Sequence, residues 1–208
     1  MKKILLIILC TVFINSCTDN SVGPTPTGNG YFPLTLGSSW TYENSHSELL
    51  NGEVTISYSS IIGEELFEDG NSFMIKQGVI PNDYDTVKLN QFYRRSNDTV
   101  YYGFFLYRND IQLIERYGAT WSTTYAALPN PYTLTFTVTG KGLHHSVNGV
   151  NYTDVLRVRV LSSSVNYKGD TLRAEGIQYF AKNIGLIESI SWNDRVTSKS
   201  RLKNYSIK

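Results

Sequence analysis

The chain has two cysteines in 208 residues, Cys10 and Cys17. Cys10 lies in an apolar N-terminal stretch, so the folded part has no thiol pair to oxidise and depends on a packed core. A cysteine-ligated zinc or iron–sulfur centre and a cysteine nucleophile are excluded on the same ground. Histidine is nearly as scarce, at His46, His144 and His145. In a strand His144 and His145 face opposite ways and cannot share one metal ion. No His-Glu-x-x-His pair, no Gly-x-Ser-x-Gly elbow and no glycine-rich loop opening a helix is present. The acids of Asn82-Asp83-Tyr84-Asp85 lack the further ligands and distal glutamate of a calcium loop, and Glu64, Glu65, Glu68 and Asp69 read as a solvated loop. An enzyme is not expected, nor a metal or cofactor. Excess charge is missing too: 19 Lys and Arg stand against 18 Asp and Glu. Past the leader the basic doublet is Arg94-Arg95, whose side chains diverge on a strand. Nucleic acid is therefore not an expected partner.

Long apolar runs are absent except at the start. Ile4 to Ile14 is about 11 residues, well short of the roughly 20 that a membrane-spanning helix needs. With Lys2 and Lys3 before it and Ile14-Asn15-Ser16-Cys17 after it, the run reads as a lipoprotein signal peptide over residues 1–16. Cleavage leaves Cys17 as the lipid attachment site, carrying palmitate-type acyl chains that anchor the protein to a membrane. Loss of Lys2 and Lys3 turns the formal charge from +1 to −1. Thr18 supplies no acidic retention signal, which places the protein in the cell envelope at the outer membrane, on either face.

Residues 17–30 form a lipidated tether. Thr18 to Gly30 is rich in Gly, Pro, Thr and Asn and cannot bury enough surface to order itself. Fully extended, it reaches at most about 40–45 Å. Residues 31–208 then make one domain, large enough to bury roughly 70% of its unfolded surface.

What fills that domain is alternation. Leu134, Phe136 and Val138 oppose Thr133, Thr135 and Thr137, and Leu156, Val158 and Val160 oppose Arg157 and Arg159. Asn51-Gly52, Asp69-Gly70, Asn148-Gly149 and Lys168-Gly169 punctuate the runs with turn chemistry. About twelve strands are predicted, at 39–49, 53–62, 72–79, 85–95, 99–108, 111–117, 119–125, 132–141, 153–166, 171–182, 185–192 and 195–207. The best helical turn is 61–67. Hairpin-length links require antiparallel pairing. The predicted fold is all-β, a single domain whose curved antiparallel sheet forms a barrel or half-barrel, with a two-sheet sandwich as the alternative.

Aromatics are plentiful, with 15 Tyr and 9 Phe. Tyr101, Tyr102, Phe104, Phe105 and Tyr107 make a run apolar on both faces, and are the candidate ligand-facing residues. The null alternative is a central strand covered on both sides.

The segment Tyr31-Phe32-Pro33-Leu34-Thr35-Leu36-Gly37-Ser38-Ser39-Trp40-Thr41-Tyr42 resembles the opening of uncharacterised lipoproteins common in the Bacteroidetes, YFPL-x-x-G-x-x-W-x-Y. The likeness continues at Gly118–Trp121, Tyr152–Val160, the YFAK-x-x-GLI motif of Tyr179–Ile187 and the final strand Arg201–Ile207. It implies kinship with periplasmic proteins built on curved antiparallel sheets, including half-barrel lipoprotein carriers. The motif residues themselves read as structural. Pro33 begins the domain, Gly37 and Gly185 make turns, and Trp40 and Tyr42 share one face of the first strand.

Two functions follow. The first is a non-enzymatic, membrane-anchored binding or carrier domain for an apolar or aromatic-compatible small molecule. A concave face filled by the protein's own side chains would count against it. The second is an envelope-assembly lipoprotein that binds a protein partner through an exposed face or sheet edge.

Overall fold

Alternating apolar and polar residues can bury one face of a strand and solvate the other, and a run of such strands joined by short links forms an antiparallel meander. The computed structural model of the chain has this form. It describes residues 30–47, 54–66, 72–81, 86–96, 99–104, 107–125, 132–165, 170–194 and 196–208. The signal peptide, Cys17 and the tether up to residue 29 lie outside the described residues.

Twelve strands follow one another: β1 (Ser39–His46), β2 (Val54–Leu66), β3 (Ser72–Pro81), β4 (Thr86–Ser96), β5 (Thr99–Phe104), β6 (Tyr107–Ile114), β7 (Thr120–Tyr125), β8 (Tyr132–Val147), β9 (Val150–Val165), β10 (Thr171–Ala181), β11 (Gly185–Trp192) and β12 (Thr197–Ser206). They form one sheet in the order β6-β5-β4-β3-β2-β1-β12-β11-β10-β9-β8-β7. Every pairing is antiparallel. The single sheet replaces the sandwich alternative. The expected helical turn at 61–67 is strand through Leu66, because Ile61 pairs with Lys76 and is fully buried as a strand residue.

The sheet curls until its two wings share a core. Val100 on β5 and Tyr93 on β4 pack in one cluster with Phe136 and Val138 on β8, Leu156 and Val158 on β9 and Phe180 on β10. β5 and β8 each lie second from opposite ends of the strand order, so only strong curvature brings them together. The curl does not close: among the described residues no ladder joins the edge strands β6 and β7.

Asn148 and Gly149 turn the β8–β9 hairpin, with φ of 50° and 81°, the positive values that a two-residue hairpin turn demands. That hairpin runs further than the alternation indicates. Irregular pairing at Gly140 and Leu143 carries the ladder on to Val147. His144 and His145 therefore lie within β8 and not in a loop. His144 is exposed, and His145 is half-buried, with Nε2 2.8 Å from Glu188.

Because the strands alternate in direction, the molecule has two poles. The start of β1, the ends of β4 and β6, the start of β9 and the β10–β11 turn gather at one. The end of β1 and the starts of β2, β8, β10 and β12 gather at the other.

Candidate functional site

The inside of the curl is the natural place for a ligand, and its two ends differ in chemistry. At the first pole the chain fills the space itself. Residues 30–34, followed by an exposed turn at 35–37 before β1, run into the concavity as a strap. Phe32 packs between β4 and β10, with ring centroids 5.8 Å from Tyr93 and 5.0 Å from Phe180. Tyr31 is buried in the same cluster.

Polar groups hold the strap's backbone. Glu115, with its side chain 8% exposed, accepts from the Tyr31 N–H at 3.0 Å and pairs with Arg95 at 2.8 Å. Arg95 also donates to the Phe32 carbonyl at 3.0 Å. The Tyr31 hydroxyl donates to Asp154 at 2.5 Å, and Lys182 pairs with the same carboxylate at 3.1 Å. The Tyr31 hydrogen bond, with help from Lys182, holds the Asp154 carboxyl below its ordinary pKa. The Asn183 N–H donates to the Gly30 carbonyl at 2.6 Å. Gly30 itself sits at φ +81°, and a Cβ there would lie 2.7 Å from the Arg95 guanidinium. Glycine is required by both conformation and space.

Deeper in, Trp40 donates its indole N–H to the Ile184 carbonyl at 2.6 Å, and Tyr42 its hydroxyl to that of Leu186 at 3.1 Å. Lys76 enters this apolar region with its ammonium 4.8 Å from the Trp40 ring and 5.8 Å from the Tyr93 ring. Loss of solvent pulls its pKa down to about 8, and the rings supply the favourable field in place of an acid. The void left among Phe32, Pro33, Leu34, Trp40 and Lys76 is about 10 Å³, room for about one water. The concave face is thus packed at this end by the protein's own side chains.

Two residues along each strand the lining changes. Asn44, Ser200, Ser189 and Gln178 form one cross-strand row on the concave side, and His46, Ser198, Ser191 and Gly176 form the next. These rows line open depressions of about 280 and 200 Å³ at the second pole. Asn44 donates to Ser57, and His46 lies 2.7 Å from Ser198. Hydroxyls and amides dominate the larger depression, the wrong lining for an apolar cargo, because burying them without partners costs free energy. Leu134, Val160, Ala174 and Ile190 give the smaller one an apolar wall.

Within the aromatic run, Tyr101 is the candidate whose side chain is described. Tyr101 lies on the outer face, half-buried beneath the Arg94 guanidinium at 4.8 Å, and lines none of the described depressions. By pairing, Tyr102 lies opposite Tyr93 and Phe104 opposite Tyr107. The side chains of Tyr102, Phe104 and Tyr107, and all of Phe105, lie outside the described residues. Arg94 and Arg95 diverge to opposite faces as alternation requires. Sequence reasoning missed the Arg95–Glu115 clamp, whose partners lie 20 residues apart and whose client, Tyr31, lies 84 residues from Glu115. No local pattern reports such a contact. Among the described residues there is no cluster of metal-ligating side chains and no helix long and apolar enough to cross a membrane.

An unclosed, strongly curled antiparallel sheet defines a class of fold, and the fold is similar to that of solved structures. One is a protein of YmcC-like fold from Bacteroides fragilis, assigned to the exported proteins, with a TM-score of 0.55 at 11% identity over 86% of this chain and 99% of that one. Another is a protein assigned to the lipoproteins of Parabacteroides distasonis, with a TM-score of 0.52 at 11% identity and the same coverages. At that identity the likeness establishes the fold alone. No family model and no curated sequence matches the chain.

Proposed function

We propose that the protein is a non-enzymatic lipoprotein of the bacterial cell envelope, anchored to the outer membrane through acylated Cys17, that binds a protein partner at the open seam of its sheet. The carrier reading has little support at the strap-filled pole, where the void among the described residues is water-sized, and the larger open depression on the concave side is lined by polar residues. The observation that carries the partner reading is the unpaired edge strand β7. Its sequence, Thr120 to Tyr125, has neither Pro nor a charged residue, the devices that ordinarily protect an edge from strand addition. The Trp121 ring is stacked on Phe136 at 5.3 Å and packs on the core, so the strand is held in place while its outer backbone edge faces away from the ladder with β8. Backbone pairing along β7 would supply affinity, as in other strand-addition complexes.

A photocrosslinking residue placed at Ser122 or Thr124 of the full-length protein in living cells tests this. A discrete protein adduct is expected at β7, and none with the same probe at exposed Leu172. Loss of the adduct in Cys17→Ala cells, with the protein released from membranes, would tie binding to the anchor. Adducts of equal strength at all positions, or none, would defeat the partner reading. Native mass spectrometry of detergent-free protein should show the bare mass. A reproducible extra mass removed by organic solvent would restore the carrier.

A further inference from the structure

On the opposite face of the sheet from the core, the ends of β8 to β11 form a groove of about 610 Å³, within the usual range for small-ligand sites. The register explains its lining. Thr135, Leu161, Glu175 and Trp192 stand in one cross-strand row, and Thr133, Ser163 and Arg173 in the next. Since Phe136, Val158 and Phe180 point into the core, these rows face outward.

We infer that this groove is a binding site for a neutral glycan segment, with Trp192 as its stacking platform and Arg159 and Glu175 as its hydrogen-bonding pair. Trp192 is half-buried, and its indole N–H has no partner among the described residues. Beside it, Arg159 Nε donates to Glu175 Oε1 at 2.6 Å. That single bond leaves the guanidinium's outer N–H groups and the second carboxylate oxygen free. Joined in this way, the two planar groups present donors beside acceptors, which suits the adjacent hydroxyls of a sugar.

Charge decides the ligand class. Arg159 and Arg173 are balanced by Glu175 and Asp194 in the same lining, so the described residues of the groove carry no net charge to favour an anion. The threonines are already oriented, since Thr135 pairs with Ser122 at 2.8 Å and Thr133 with Thr124 at 2.9 Å. An aromatic face for the C–H side of a pyranose and cancelling charges for its hydroxyls fit a neutral sugar. A peptide would want apolar pockets, and Leu161 is the sole aliphatic branched side chain in the lining. The site lies on the outer face and stands apart from the edge-strand reading, so either can fail alone.

The test is titration of the mature protein with neutral hexasaccharides of the gluco-, manno-, galacto- and N-acetylglucosamino series, with oligogalacturonate as the anionic control. Tryptophan fluorescence and calorimetry are the readouts. At least one neutral series should bind and shift the emission. Trp192→Ala should weaken that binding about tenfold, Trp192→Tyr should restore most of it, and Arg159→Ala should weaken it by a similar factor. Circular dichroism confirms that each variant folds. Silence across all four series overturns the inference, as does a preference for the anionic control. Binding unchanged by Trp192→Ala also overturns it.

Discussion

The two poles of the concave face are built on the same strands, yet one is a core and the other a surface. On β12, Leu202 is 2% exposed and faces Tyr42, while Ser200, two positions earlier on the same side, faces Asn44 in the open trough. On β11 the same step leads from fully buried Ile187 to Ser189. A curled sheet brings its wings close enough to exclude water only where something fills the space between them. Here the filler is the strap, and the apolar residues of β1, β11 and β12 reach only as far as the strap does. Each residue's choice between Leu and Ser records that limit.

The sharpest way to break the contrast is to remove the strap's deepest neighbour. Trp40→Ala should cost about 3–5 kcal/mol in urea unfolding, from the lost ring and its cavity together with an unpaired Ile184 carbonyl. A cost below about 1 kcal/mol would mean that this pole is not a packed core.

Next comes the clamp. Glu115→Ala leaves Arg95 and the Tyr31 N–H without their acceptor, and should cost about 2–3 kcal/mol. That is below the usual figure for a buried pair, because Arg95 keeps some solvent and its bond to the Phe32 carbonyl. Gly30→Ala should cost about 1–2 kcal/mol alone, since it forces a positive φ on a Cβ and displaces the Arg95 guanidinium. The two effects should be less than additive, because displacement of Arg95 costs little once Glu115 is gone. Strict additivity would separate the strap from the clamp.

How much of this is legible in the sequence differs between the poles. The strands can be read from alternation and turn chemistry, most plainly in β8 and β9, where a wet face opposes a dry one. The Asn148-Gly149 turn can be read because its φ values leave few other residues eligible. Gly37, in the YFPL segment, makes its turn before β1 at a positive φ of 81°. Nothing local says that Tyr31 and Phe32 turn inward. That depends on contacts to Glu115, Asp154 and Phe180, which lie 84 to 148 positions away in the chain. Of the candidate ligand-facing residues, Tyr101 is placed on the outer face for a related reason. The Tyr101 ring is covered by Arg94 from the neighbouring strand, a cross-strand pairing that sequence spacing does not reveal. The outer groove is hidden in the same manner, since Trp192 meets Glu175 and Leu161 only through the register.

Lys76 marks the boundary between the poles, and pH sharpens it. Its folded pKa of about 8 lies below the ordinary lysine value, so between about pH 8 and 10 the unfolded chain binds more protons than the folded one. Stability should therefore rise with pH through that window, and below it the cost of the buried charge is felt in full. Lys76→Met should raise stability at neutral pH by about 1–3 kcal/mol, partly offset by the lost cation–ring contacts, and should flatten the alkaline rise. An unchanged slope in urea midpoints between pH 7.5 and 10 would show that Lys76 reaches solvent.

The smallest expected effect is the most direct test of where the core stops. Ser200→Leu puts an apolar side chain into the trough, where water is already present and no close-packed neighbour resists it. It should change stability by no more than about 0.5 kcal/mol. Leu202→Ser, two residues further along the same face, removes a fully packed side chain and buries a hydroxyl, at about 3–4 kcal/mol. If Ser200→Leu instead costs more than about 2 kcal/mol, the trough is tightly packed and the division falls. If it stabilises by a similar amount, the new leucine has found apolar surface, and the polar rows mark a shallow lining over core. A near-zero result beside a large Leu202→Ser cost places the edge of the core between two residues. It would also mean that the hydroxyls of the open pole are not retained for stability, which leaves contact with something outside the chain as their reason.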